Sequence, residues 1–73
     1  MSTIHERIKR LRENSGLSME ALAALLSLKS WQTIQQWENG KTAPKRSRVD
    51  DVARVLNTTS EYILFGDAQA QTS

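Results

Sequence analysis

The stretch Leu17-Ser-Met-Glu-Ala-Leu-Ala-Ala-Leu-Leu-Ser-Leu-Lys-Ser-Trp-Gln-Thr-Ile-Gln-Gln-Trp-Glu-Asn-Gly40 decides the fold of this chain. Its first half has a good N-cap, Ser18, and continues with strong helix formers from Met19 to Leu26. Ser27-Leu28-Lys29 predicts a tight turn. Ser30 then caps a second helix, from Trp31 to about Asn39, which the final glycine ends. The stretch therefore predicts two short helices joined by a turn.

The second of these helices has two chemically different edges. At ~100° per residue, a helix that buries Ile34 also turns Trp37 toward the core. Gln32 and Gln36 then fall about 160° away from Ile34, with Gln35 on the flank. An ordinary solvated face is rich in Lys and Glu, whereas this one is almost purely amide. We therefore expect these three glutamines, the amide face, to point toward a partner.

A further helix precedes the stretch. Ser2 or Thr3 can cap it, and Gly16 can end it in the left-handed conformation without steric cost. Its apolar face consists of Ile4, Ile8 and Leu11. Its other faces carry Arg7, Lys9, Arg10, Arg12 and Glu13. His5 is expected to be an exposed residue of this helix.

Two helices follow the stretch. The apolar spacing of the first is carried by Val49, Val52, Ala53 and Leu56. Asp50 and Asp51 lie near its expected start, where negative charge suits the helix dipole. Thr59 caps the second, from Ser60 to about Phe65. That helix is too short to bury all its apolar residues, so Phe65 or Ile63 is a candidate for a small self-association surface.

The totals favour one small all-α domain. Seventy-three residues lie near the lower limit for folding on a hydrophobic core alone, and the absence of cysteine excludes disulfides and thiolate metal sites. We expect a compact five-helix bundle over residues 1–66 and a flexible polar tail over 67–73. The expected core comprises Leu17, Leu22, Leu25, Leu26, Leu28, Ile34, Trp37, Val52, Leu56, Ile63 and Leu64.

Catalytic and membrane functions have no support in the sequence. His5 is the only histidine, so neither a metal site nor a nucleophile–base pair is predicted, and we expect no enzyme, no cofactor and no small-molecule substrate. The longest apolar run is far too short to cross a bilayer, and the first residues do not resemble a secretory signal. A cytoplasmic protein is the default expectation.

Basic residues cluster around the second helix of the stretch. The net charge is only +2, which is weak evidence for a polyanionic partner. Residues 29–48, however, contain five basic side chains against the single acid Glu38: Lys29, Lys41, Lys45, Arg46 and Arg48. Clustering of one sign produces a local field that the whole-chain sum conceals.

Several short runs resemble the helix-turn-helix proteins of the phage Cro and repressor family. They are Leu22-Ala23, Ile34-Gln-Gln-Trp-Glu-Asn-Gly-Lys41, Pro44 and Glu61-Tyr-Ile-Leu-Phe-Gly66. The likeness covers roughly residues 4–67 and looks more like a single-domain Cro protein than a full-length repressor. It implies a five-helix domain that binds double-stranded DNA as a homodimer, with two half-sites in a palindromic operator.

The chain departs from the family pattern at two places. Between Leu26 and Ile34 it is one residue longer than the usual turn, so either the preceding helix is longer or the turn is bulged. Ser27 stands in that turn where glycine is common. Arg46 stands at a position that the family often fills with an apolar residue.

The resemblance and the charge pattern together define candidate contacts. The candidates for DNA base contacts are Trp31, Gln32, Gln35 and Gln36, since glutamine can pair bidentately with adenine. The candidates for DNA phosphate contacts are Arg12, Lys29, Ser30, Asn39, Lys41, Thr42, Lys45 and Arg46. Trp31 could equally cover the edge of the core. Arg12 and Glu38 are expected to form a partly buried pair, because an unpaired buried carboxylate would be costly.

A second function of a different class stays open. The chain could be an antitoxin or adaptor that uses the same helical fold to bind another protein. Binding to a protein without retardation of DNA would favour that alternative.

Overall fold

The computed structural model describes residues 3–66, and within this range the chain forms five helices and no strand. The helices are α1 Ile4–Asn14, α2 Met19–Leu25, α3 Gln32–Asn39, α4 Arg46–Val55 and α5 Ser60–Phe65. The expected all-α fold is confirmed. The tail expected over residues 67–73 lies outside the described residues. In the described part, every helix is too short or too polar to span a bilayer.

Side-chain caps begin three of the helices, as the sequence predicts. At α1, the Glu6 amide donates to the Thr3 hydroxyl at 3.2 Å and the Thr3 amide donates to the Glu6 carboxylate at 2.9 Å. This reciprocal pair is a capping box. Ser18 caps α2 and Thr59 caps α5, each accepting an amide three residues further on, at 3.0 and 3.1 Å.

Helices α1 to α4 all end in a left-handed residue. These residues are Gly16, Ser27, Gly40 and Asn57. In each case the amide of the following residue donates to a carbonyl five positions back, at 2.8 to 3.2 Å, which is the Schellman arrangement. Helix α2 therefore ends at Leu25, and the residues that precede α3 form an extended turn rather than a longer helix.

The five helices enclose one apolar core. The buried members are Ile8, Leu22, Ala23, Leu26, Ile34, Trp37, Val49, Val52, Ala53, Leu56 and Ile63. The expectation for Leu25 is wrong, because its side chain is 58% exposed. Leu25 is the last residue of α2, and it lies about 100° around the helix from Leu26, which is the leucine that is buried there.

Helix α4 begins earlier than the sequence indicates. It starts at Arg46, after Lys45, which makes no side-chain capping bond. Asp50 and Asp51 consequently lie in the second turn, and the dipole argument for them is wrong. The segment from Lys41 to Lys45 is the loop, while Arg46 and Arg48 belong to the first turn of the helix.

Basic side chains from other helices bind carbonyl groups at several helix ends. Arg7, expected on an outer face, is only 6% exposed and donates to the carbonyls of Ile63 and Leu64 at the end of α5, at 2.8 and 2.9 Å. Arg48 of α4 donates to the carbonyl of Leu26 at the end of α2, at 2.8 Å. These bonds satisfy carbonyls that a helix end leaves without an intrahelical partner.

Candidate nucleic-acid interface

Helix α3 presents its amide face to solvent. Ile34 is fully buried and Trp37 is 4% exposed, so these two residues anchor the helix in the core. Gln32 and Gln36 are exposed on the opposite edge, and Gln35 on the flank is half-buried. The orientation expected from helical spacing is therefore confirmed.

The start of α3 differs from the expected start by one residue. Trp31, expected as the first helical residue, is the N-cap position, and it makes no side-chain capping bond. The Ser30 hydroxyl instead accepts the amide of Gln32 at 3.1 Å and lies 3.3 Å from Oε1 of Gln32. Ser30 thus still satisfies the first amide of α3 and also holds the Gln32 side chain near the helix start.

Trp31 lies at the surface rather than in the core. Its residue is 38% exposed, and it lines a shallow depression together with Met19 and Glu20 of α2. Met19 itself packs against the apolar core, so Trp31 covers the edge of the core and keeps part of its surface exposed before the first turn of α3. Both alternatives for Trp31 therefore stay open.

Arg12 and Glu38 form the expected pair, and it joins α1 to α3. Nε of Arg12 donates to Oε2 of Glu38 at 2.6 Å, and Nη2 donates to Oε1 at 3.1 Å. The side chains are 11% and 2% exposed, so the pair is shielded from water. Arg12 also donates from Nη1 to the carbonyl of Leu17 at 2.8 Å. The hydrogen bond to Glu38 raises the pKa of Arg12, against the opposing effect of burial.

His5 is half-buried, so the expectation of an exposed residue is wrong. Its Nδ1 lies 2.6 Å from the carbonyl oxygen of Trp37, in the last turn of α3. A carbonyl oxygen only accepts, so Nδ1 carries the proton of this bond. The residues next to His5, Arg7 and Arg48 in the sequence do not predict these contacts. In each case the partner carbonyl lies at least 22 positions away along the chain.

The candidate phosphate contacts occupy both ends of α3 and the loop beyond it. Lys29 is exposed in the turn before the helix, next to the half-buried Ser30. After the helix, the exposed residues are Asn39, Lys41, Thr42, Lys45 and Arg46. The amides of Lys41 and Thr42 both donate to the carbonyl of Gln36, at 3.0 and 3.4 Å. The loop therefore leaves α3 along a path that the last turn of the helix determines.

Two features distinguish this arrangement from an ordinary helical surface. The exposed face of α3 carries neutral amides, which can donate and accept hydrogen bonds. Positive charges lie before and after that face rather than within it. Such a distribution suits a partner whose outer parts are anionic and whose inner part offers hydrogen-bonding groups.

A family model described as Helix-turn-helix matches residues 8–63. The chain therefore belongs to the helix-turn-helix family, in its phage Cro and repressor type, as the sequence runs quoted above indicate. The residues that match include all of α2, the turn and α3.

Similar proteins include a transcriptional regulator and solved structures of two repressor or regulator complexes. The chain is 35% identical over 69 residues to the HTH-type transcriptional regulator DicA of Escherichia coli K12, covering 94% of this chain and 50% of DicA. It thus spans half the length of that relative. The P22 c2 repressor in complex with synthetic operator 9T has a TM-score of 0.86 and 27% identity, over 92% of this chain and all of that one. SinR in the SinR–SinI protein complex has a TM-score of 0.77 and 25% identity, over 97% and 67%.

Proposed function

We propose that this protein is a sequence-specific DNA-binding regulator of transcription, a Cro-like phage repressor that acts in the cytoplasm of a bacterial host. The observation that carries the proposal is the exposed amide face of α3, held outward by the buried Ile34 and Trp37. The names of DicA and of the P22 repressor–operator complex support the same function. Repression follows from occupation of promoter DNA that polymerase needs.

Base recognition is assigned to the side chains at the exposed edge of α3. In the major groove each base pair presents its own pattern of donors and acceptors, and a glutamine amide matches the N6 and N7 atoms of adenine. Gln32 and Gln36 are the principal readers, with Gln35 at the side. We assign to Trp31, which is 38% exposed, a contact with a thymine methyl group.

Phosphate binding is assigned to the residues that flank the helix. Lys41, Thr42 and Asn39 follow or end α3, while Lys29 and Ser30 precede it, so their groups can grip the backbone on either side of the groove. Lys45 and Arg46 extend the same positive surface. Arg12 contributes only through the small exposed part of its guanidinium, since most of it faces Glu38 and Leu17.

A symmetric dimer brings two copies of α3 to one operator. Phe65 is 60% exposed at the end of α5, whereas Ile63 is fully buried, so Phe65 is the self-association candidate of the two. Two α3 helices would then lie about one DNA turn apart, ~34 Å, on an approximately palindromic site.

The test of the proposed function is selection of bound duplexes from a random DNA pool. We expect an approximately palindromic sequence with half-sites about 10 base pairs apart, centre to centre. Recovery of single, unpaired half-sites would remove the dimer from the proposal. No enrichment of any sequence would contradict base recognition and favour the protein-binding alternative, for which the SinR–SinI complex is a structural precedent.

Lys41→Ala tests the phosphate contacts separately from base recognition. A variant that makes one phosphate contact fewer releases fewer counterions when it binds DNA. Its affinity should therefore fall by a similar factor on operator and random DNA, and the slope of log affinity against log salt concentration should decrease by about one unit. The measurement is the dissociation constant at several salt concentrations. An unchanged slope would remove Lys41 from the contacts.

A further inference from the structure

We infer that His5 is a positioning residue for DNA binding: its bond to the Trp37 carbonyl fixes the end of α3 and so the place of Lys41 and Thr42. The inference rests on the proposed function, because it concerns the phosphate contacts of the loop. It assigns a role in that function to α1, outside the helix-turn-helix segment. The argument starts from the carbonyl groups of the last turn of α3.

The Trp37 carbonyl has its close partner in His5. At the end of a helix the last four carbonyls lack intrahelical donors. In α3 the Gly40 amide reaches the Trp37 oxygen only at 3.4 Å, near the limit for a hydrogen bond. Nδ1 of His5 lies 2.6 Å from the same oxygen. The side chain from α1 therefore supplies the bond that the backbone makes poorly.

The imidazole ring also lies close to one side of Gly40, the residue at which the chain leaves the helix. Gly40 has a φ of +83°, and a Cβ added there would lie 3.5 Å from Cδ2 of His5. The ring thus lies against the backbone of Gly40 while its Nδ1 holds the carbonyl of Trp37. Both contacts restrict the left-handed turn that directs the chain into the basic loop.

The consequence reaches the candidate phosphate contacts directly. Lys41 and Thr42 follow Gly40, and both of their amides donate to the Gln36 carbonyl, one residue before Trp37. If the Trp37 carbonyl lost its partner, the last turn of α3 could unwind, and these two amides would lose a fixed acceptor. A phosphate contact that is held in place before binding costs less conformational entropy than one ordered on the DNA.

The variants His5→Phe and His5→Asn separate the hydrogen bond from ring packing. Phenylalanine keeps an aromatic ring but cannot donate, whereas asparagine is smaller and offers an amide donor. Thr59→Ala is the matched control, since the bond that it removes caps α5 and involves no group of α3. Its stability cost of about 1 kcal/mol is typical for a lost cap.

The first measurement is amide hydrogen exchange of the free protein. We expect the Lys41 and Thr42 amides to exchange about fivefold faster in His5→Phe than in the wild type, the factor of one ordinary hydrogen bond. His5→Asn should restore part of the protection, and Thr59→Ala should leave it unchanged. Equal protection in His5→Phe and the wild type would overturn the inference, whatever the protein binds.

The second measurement is a double-mutant cycle with Lys41→Ala on a selected operator. His5→Phe should weaken operator binding about fivefold in the wild-type background and less than twofold when Lys41 is already absent, because the two residues act together. Equal losses in both backgrounds would overturn the positioning role. If the wild-type protein selects no sequence from the random pool and retards no duplex, the proposed function fails. The hydrogen-exchange result alone then decides whether His5 holds the loop.

Discussion

Ser27 holds a backbone conformation that most side chains enter at a cost. Its φ is +58°, in the left-handed region that favours glycine, and it follows the last turn of α2. For a residue with a Cβ this conformation costs roughly 1–2 kcal/mol. The Ser27 and Leu28 amides nevertheless bind carbonyls of α2 at 3.1 and 2.9 Å, so the turn is fully formed.

Ser27→Gly should therefore stabilise the protein. Relief of the strain, less the greater flexibility of glycine in the unfolded chain, leaves a gain of about 1 kcal/mol, which for a domain of this size raises the melting temperature by ~4–8 °C. The measurement is thermal unfolding followed by circular dichroism. Asn57→Gly is the matched control, with a smaller expected gain because asparagine tolerates this conformation better. A loss of stability in Ser27→Gly would contradict the account of the turn.

Arg7 and His5 show what the spacing of residues cannot predict. Both lie on α1, where the apolar positions Ile4, Ile8 and Leu11 correctly indicate the buried face. That pattern predicts that a charged or polar side chain of α1 is exposed to solvent, unless a binding partner inside the protein is known. Here the partners are backbone carbonyls of α5 and α3. Every residue has such a carbonyl, so the identity of the residues does not indicate which carbonyl is the partner.

At the scale of the helices, capping residues and glycines predict the helix bounds well. A helix start without a side-chain cap is predicted poorly. Thr3, Ser18 and Thr59 begin their helices as expected, since a hydroxyl that accepts an amide is a local signal. Helix α4 has no such cap and carries arginines in its first turn, against the preference of the dipole. Tertiary packing of Val49 and Val52 outweighs that preference, so the local signals in the sequence predict a later start than the helix has.

The pair of Arg12 and Glu38 makes α1 and α3 one unit. We expect Glu38→Met to cost about 3–5 kcal/mol, because it leaves a guanidinium buried without a counter-charge. That is a large share of the stability of a small domain. Urea unfolding measures the loss. Because the pKa of Arg12 is raised, the stabilisation that its charged form provides is fully present at neutral pH and is lost as the pH rises through that raised pKa, so the cost of Glu38→Met should be equal at pH 6 and pH 8.

The double variant Arg12→Met with Glu38→Met is the control for that prediction. Removal of both charges avoids the unpaired guanidinium, so the double variant should lose less stability than Glu38→Met alone. The remaining cost, about 1–3 kcal/mol, comes from the Leu17 carbonyl, which loses the donor Nη1 of Arg12. A double variant less stable than the single one would contradict a net electrostatic coupling between the helices.

At the scale of the whole molecule, side chains from the helices outside the helix-turn-helix bind groups within α3 and at the end of α2. His5 binds its last turn, Arg12 binds Glu38 within it, and Arg48 binds the end of α2 just before the turn. Each bond fixes a different point along the segment from Leu26 to Gly40. The exposed amide face is thus presented on a rigid support, which is what recognition of a fixed groove requires.

The candidate site was predictable from sequence to the extent that it depends on helical spacing. Ile34 and Trp37 determine which edge of α3 is buried, so the exposure of Gln32 and Gln36 follows from their positions alone. Helical spacing does not predict whether the additional residue between Leu26 and Ile34 belongs to α2 or to the turn, because both alternatives have the same number of residues. The observed end of α2 at Leu25 places the extra length in the turn.

Gln36→Ala on a selected operator tests the central assignment most directly. Gln36 lies on the exposed edge of α3, and the substitution keeps its backbone carbonyl, which accepts the Lys41 and Thr42 amides, so the fold should be unchanged. The account predicts that operator affinity falls by about 1–3 kcal/mol, roughly 5- to 150-fold, while affinity for random duplex changes less than twofold. Gln35→Ala, on the flank, should show a smaller loss of the same kind. Equal losses of affinity for operator and random DNA in Gln36→Ala would contradict base recognition by this face.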